Sequence, residues 1–151
     1  TPYRYVADKD ELLALARSEA FRAFAASQEA AVALRSTPLA RLTRLCRAYV
    51  AFALANPEGY RLMFSSSGPV TGCPELAAQA ARAFRQQLEA TKAAVKAGVE
   101  EGDPVVLAHL HWATVHGLVS LHLQGKLMPG MTLERLCEQW LAGLDTKGKK
   151  R

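Results

Sequence analysis

Apolar residues recur every three to four positions along most of this chain, and a proline stands directly after a capping residue where several of these runs begin. Thr37-Pro38, Asn56-Pro57 and Asp103-Pro104 place proline at a first helical position, where its missing N–H costs nothing and its φ is already helical. Asp8, with Glu11 three residues later, has the spacing of a capping box; Cys73-Pro74 and Thr132 mark weaker starts. These signals predict helices over about 9–34, 38–55, 57–66, 74–98, 104–124 and 133–144, with loops at Ser65–Pro69 and Lys126–Met131. No run alternates with the period of a strand, so the expected fold class is all-α.

The faces of these helices differ. In 38–55, Leu39, Leu42, Cys46, Tyr49 and Ala53 form one apolar stripe, and in 74–98 Phe84, Leu88, Thr91 and Val95 share a face away from Arg85, Glu89, Lys92 and Lys96. Segment 104–124 is apolar around its whole circumference. Val105, His109, Trp112, His116, Val119 and Leu123 gather on one side, and Leu107, Leu110, Leu118 and Leu121 on the other. Such a helix must be covered all round, either inside a large domain or between its own core and a partner. Segment 133–144 adds a broad stripe of Leu133, Leu136, Cys137, Trp140, Leu141 and Leu144. Two such helices from each of two chains can make an intermolecular four-helix bundle, so Leu107, Leu110, Leu118, Leu121, Leu133, Leu136, Trp140 and Leu144 are the expected homodimer contact. Packing of both stripes within one chain is the alternative.

Charge changes this picture little. The 151 residues carry a net +5, but without the four cations of Lys147–Arg151 the excess falls to +1, so the body offers no basic surface for nucleic acid. The tail 146–151 reads as a solvated basic end. Three cysteines without CxxC spacing suggest neither a disulfide framework nor zinc, and Cys46 and Cys137 fall on apolar faces where a buried thiol is expected. No stretch of about eighteen consecutive apolar residues occurs, and the expected location is cytoplasmic, without membrane contact.

Two local patterns carry a family resemblance. Thr1-Pro2-Tyr3-Arg4-Tyr5-Val6-Ala7-Asp8-Lys9-Asp10-Glu11-Leu12-Leu13 resembles the junction between the recognition helix and the following long helix of TetR-family repressors. Trp112-Ala113-Thr114-Val115-His116-Gly117-Leu118 is similar to the tryptophan–histidine–glycine signature of that family's WHG-type effector domains. Val6 departs from the phenylalanine usual at its position, and the earlier helices of the DNA-reading domain are not in this sequence.

The resemblance implies a TetR-like C-terminal helical bundle that dimerises through its last two long helices. Residues 1–8 would be a remnant of the helix-turn-helix and 9–145 the effector-binding and dimerisation domain. The function implied is a ligand-responsive transcriptional regulator, a repressor that meets operator DNA only with its missing N-terminal helices restored. Tyr3, Tyr5 and Lys9 would then hold DNA phosphates without specifying bases.

A regulator of this kind needs an apolar cavity with a few polar groups for a small apolar or aromatic effector. Tyr49, Tyr60, Met63, Phe64, Phe84, Leu88, His109, Trp112 and His116 are the candidate lining, although aromatic and methionine side chains at helical spacing are more often plain core. His109 and His116 stand ~10 Å apart along the helix, too far for neighbouring ligands on one metal, and His109 and His111 face apart, so no metal is expected. Phosphate-binding glycine loops, GxSxG and HExxH are absent, and neither a cofactor nor catalysis is expected. A small helical enzyme or carrier for an apolar molecule is the alternative function.

Overall fold

The computed structural model describes residues 2–65 and 73–148, with side chains at 9–65 and 73–145. Six helices account for the described fold: α1 (Pro2–Val32), α2 (Pro38–Ala55), α3 (Pro57–Met63), α4 (Pro74–Lys96), α5 (Pro104–Leu123) and α6 (Leu133–Gly148). No strand occurs among the described residues, so the all-α expectation holds.

The caps show how sequence set these boundaries. Thr37 accepts a hydrogen bond from the Ala40 N–H at 3.2 Å, and Asp103 accepts one from the Val105 N–H at 2.8 Å. Asn56 departs from the pattern: its side-chain amide donates backward to the Phe52 carbonyl at 3.1 Å, so it closes α2 while Pro57 opens α3. The Asp8/Glu11 capping box does not start a helix either, because α1 already runs from Pro2. No proline or glycine interrupts Tyr3–Asp10, and the motif's spacing also occurs inside helices. At the end of α4, Gly98 takes φ +73, and the Val99 N–H reaches back to the Ala94 carbonyl at 2.9 Å. That is the left-handed stop for which glycine carries no Cβ penalty.

α1 lies along α4 and also contacts α2 and α3, while α2 touches every later helix and α5 sits between α4 and α6. The core is built from Phe21, Phe24 and Ala25 of α1, Leu42, Leu45, Cys46, Tyr49 and Ala53 of α2, and Tyr60 and Met63 of α3. α4 adds Leu76, Ala83, Ala90 and Ala94, α5 adds Val115 and Val119, and α6 adds Leu133, Cys137, Leu141 and Leu144. The face of α4 turned inward is thus mostly alanine, which lets α1 and α4 approach closely.

α5 resolves its uniform apolarity into two faces. Ala108, His111, Val115 and Val119 point inward, and Val106, Leu110, Ala113 and Leu121 are exposed together with Val105. Gly117 lies in the middle of that outer strip, and a Cβ added to it would meet no atom within 4 Å. By length and composition alone α5 could cross a membrane, yet one side of it is occupied by the protein's own core.

The predicted dimer residues divide accordingly. Leu110 and Leu121 are 56% and 44% exposed, whereas Leu107, Leu118, Leu136 and Trp140 are half-buried at the flanks. Leu133 and Leu144 face the chain's own core, at 3% and 4% exposure, so the α6 stripe is in part intramolecular. The thiols of Cys46 and Cys137 meet where α6 packs on α2.

Candidate functional site

Three helices bring Tyr49, Tyr60 and His116 together inside the bundle. Tyr49 comes from the apolar stripe of α2, Tyr60 from the single inward turn of α3, and His116 from the side of α5 one turn from Trp112. The Tyr49 and Tyr60 hydroxyls are 3.0 Å apart, and the Tyr60 hydroxyl lies 2.6 Å from His116 Nδ1, with Tyr49 at 3.2 Å from the same nitrogen. On its other side, His116 Nε2 lies 3.4 Å from Ser120 Oγ.

Burial sets the protonation of this cluster. It lowers the pKa of His116, so the imidazole is neutral at pH 7, with Nδ1 accepting from Tyr60 and the Nε2 proton directed at Ser120. Desolvation raises the pKa of both phenols; for Tyr49 the neighbouring Tyr60 adds to the rise, and a hydrogen bond from Trp112 opposes it. The result is a neutral, hydrogen-bonded relay, without a nucleophile or a charged acid–base pair.

Aromatic rings wall the relay. Phe64 packs against His116 at 4.3 Å and Tyr60 at 5.1 Å between ring centroids, and Phe84 meets His109 at 4.6 Å and Trp112 at 5.9 Å. Two hollows open beside this wall. The inner one, about 40 Å³, is lined by Phe24, Gln28, Tyr49, Ala83, Phe84, Gln87, Trp112 and Val115. The outer cleft, about 270 Å³, is lined by Tyr60, Arg61, Phe64, His116, Ser120, Leu123 and Gln124. A cavity of about 150 Å³ is needed to hold benzene, so an aromatic occupant of the inner hollow requires Phe84 and Trp112, both half-buried, to turn aside.

Of the residues expected to line a pocket, Tyr49, Tyr60, Phe64, Phe84, Trp112 and His116 do meet around these hollows. Met63 does not: it is buried in the core, and its carbonyl lies 3.4 Å from an Arg17 guanidinium nitrogen. Leu88 lines neither hollow, because the inward face of α4 passes through Ala83, Gln87 and Ala90. His109 is exposed, with its ring lying over Phe84. Lys9 is exposed on α1, and the side chains of Tyr3 and Tyr5 lie outside the described residues.

Sequence reasoning passed over Gln28 and Gln87. Each is a lone amide on an otherwise apolar stripe, among Phe21, Phe24 and Ala25 on α1 and among Ala83, Ala90 and Ala94 on α4, and that interruption was a usable signal. It also missed the pairing of His111 with Glu100, both of which are buried. His111 Nε2 lies 2.9 Å from Glu100 Oε1, and Gln87 Nε2 lies 3.1 Å from His111 Nδ1.

Residues 42–144 match the family model described as the tetracyclin repressor-like C-terminal domain. Among solved structures, the chain is similar to a protein with unknown function from Rhodococcus sp. RHA1, with a TM-score of 0.77 and 26% identity over 91% of this chain and 70% of that one. It is also similar to the "putative regulatory protein SCO4313", with a TM-score of 0.72 and 27% identity over 94% of this chain and 76% of that one. No curated protein matches the chain.

Proposed function

Because the chain belongs to the tetracyclin repressor-like C-terminal domain family, we infer that it is the effector-binding and dimerising body of a ligand-responsive transcriptional repressor. The observation that carries this reading is the meeting of Tyr49, Tyr60 and His116, with Phe64, Phe84 and Trp112, beside two hollows in the bundle. A core built only for stability gains little from a phenol–phenol–imidazole relay at its centre, whereas an effector site needs apolar walls with a few fixed polar groups. The effector is a small apolar or aromatic molecule, and the chemistry is binding without turnover.

The outer strip of α5 supports a homodimer. Val106, Leu110, Ala113, Gly117 and Leu121 follow one another at three- and four-residue spacing, with Gly117 open toward whatever lies opposite. A second copy packed there would form a four-helix contact with Leu107, Leu118, Leu136 and Trp140 at its margins. In this reading residues 1–8 end the DNA-binding domain, and Tyr3, Tyr5 and Lys9 steady it on phosphates. Ligand occupancy then shifts the spacing of two DNA-binding heads through its differential affinity for two arrangements.

The test uses the full gene product. It should retain a defined sequence from a random DNA pool, and Leu121→Glu, by placing a charge in the contact, should abolish both dimerisation in light scattering and DNA retention. A wild-type monomer, or a gene product that retains no preferred sequence, would overturn the reading.

A further inference from the structure

The inner hollow has a polar end whose hydrogen-bonding sense can be deduced. Thr91 donates its hydroxyl hydrogen to the Gln87 backbone carbonyl at 2.8 Å, so its oxygen can only accept from the Gln87 side-chain nitrogen 3.3 Å away. The Gln87 group turned toward Thr91 is therefore the NH2. The same nitrogen lies 3.1 Å from His111 Nδ1, which accepts, and this leaves the His111 Nε2 hydrogen to be donated to Glu100 Oε1 at 2.9 Å. Both N–H bonds of Gln87 are thus engaged, and its side-chain carbonyl oxygen has no hydrogen-bond partner among the described residues.

Gln28 faces the same hollow from α1. It is 5% exposed, and its one hydrogen bond, to Ser27 Oγ, is long at 3.5 Å. Ser27 Oγ already donates to the Phe24 carbonyl at 2.7 Å, so the Gln28 amide carbonyl is also unpartnered. Two amides of this kind, Gln28 buried and Gln87 half-buried, with no charged residue among the eight that line the hollow, suit a neutral occupant with a hydrogen to donate. A carboxylate there would be desolvated beside an acceptor, with no cation to offset it.

We propose that the inner hollow selects a neutral aromatic ligand carrying an O–H or N–H donor, which donates to the side-chain carbonyl of Gln87. This rests on the effector-binding reading above and names the ligand class for that site. The donor sits in the about 40 Å³ hollow between Gln28 and Gln87, and the ring takes the place of Phe84 and Trp112 as they turn outward. The carbonyl oxygen is held in position through Thr91, His111 and Glu100, so ligands without a donor cover it without giving it a hydrogen bond.

Phenol, toluene and benzoate test this by calorimetric titration of the whole chain. Phenol and toluene have nearly the same shape and toluene leaves water more readily, so tighter phenol binding reports the hydrogen bond. Phenol should bind about tenfold more tightly than toluene, with benzoate weakest, and Gln87→Met should remove the phenol preference. Should Gln87→Met unfold, the side-chain amide NMR signals of Gln87 in the wild type should move with phenol and stay in place with toluene. Equal binding of phenol and toluene, tightest binding of benzoate, or a phenol preference that survives Gln87→Met would overturn the donor assignment alone. Binding of none of the three would overturn the assignment together with the effector site on which it rests.

Discussion

Two histidines on α5, five residues apart and both turned inward, live in opposite surroundings. His111 is 5% exposed and faces a carboxylate that is itself buried, while Trp140 of α6 stands edge-on to its ring at 5.6 Å. His116 hydrogen-bonds to two phenols and a serine, none of them charged, and borders the outer cleft. A buried carboxylate makes its partner indispensable, because removing either leaves the other uncompensated. Phenols can bond to each other instead. The first site is therefore a staple holding the α4–α5 turn to α4 and α6, and the second, on the proposed function, is the one that rearranges around a ligand.

The sharpest way to break this contrast is to make the same substitution at both positions. His111→Leu should cost about 3–5 kcal/mol of unfolding free energy in urea, since Glu100 stays buried with both oxygens lacking a partner. His116→Leu should cost only about 1 kcal/mol, because Tyr49 and Tyr60 keep their mutual hydrogen bond. Equal costs would mean that both clusters are structural staples. Tyr60→Phe should be comparably mild, at about 1 kcal/mol, and should weaken binding of polar aromatic probes more than it lowers the melting temperature.

Acidification sharpens the comparison with a smaller effect. Burial lowers the pKa of His116 in the folded chain, so between that value and about 6.5 the unfolded chain binds the extra proton. Stability is complete above about pH 6.5, falls as the pH drops through this window, and levels off once the folded ring also protonates. His116→Leu should flatten this part of a melting-temperature profile, and an unchanged slope in that variant would assign the pH dependence elsewhere.

The sequence made the helices and their caps legible because proline and capping residues act locally. Thr37 and Asp103 do what their spacing predicts, Asn56 turns its side chain back onto α2 instead, and the Asp8 box misleads because it is compatible with a helix that simply continues. The TetR-like architecture was legible as well, and family membership bears it out. Site residues were harder. Tyr49, Tyr60, Phe64, Phe84, Trp112 and His116 could be gathered because aromatic residues on inward faces tend to converge. Met63 and Leu88 were misplaced because a shift of about one residue in the facing of α3 or α4 exchanges lining for core. The Gln87–His111–Glu100 chain depends on a turn that brings Glu100 back over α5, and helical periodicity carries no information about that return.

On the proposed function, the aromatic and phenolic cluster around Trp112 opens to a ligand while the region around His111 and Trp140 does not. The two tryptophans report these regions separately, since Trp112 lines the inner hollow and Trp140 packs on His111. Toluene should be titrated into nitrogen-15-labelled protein, with the two indole N–H signals assigned through Trp112→Phe and Trp140→Phe. A saturable shift of the Trp112 signal with a stationary Trp140 signal is the expected result. A Trp112 signal that stays in place up to the solubility limit of toluene, or signals that move together, would contradict it.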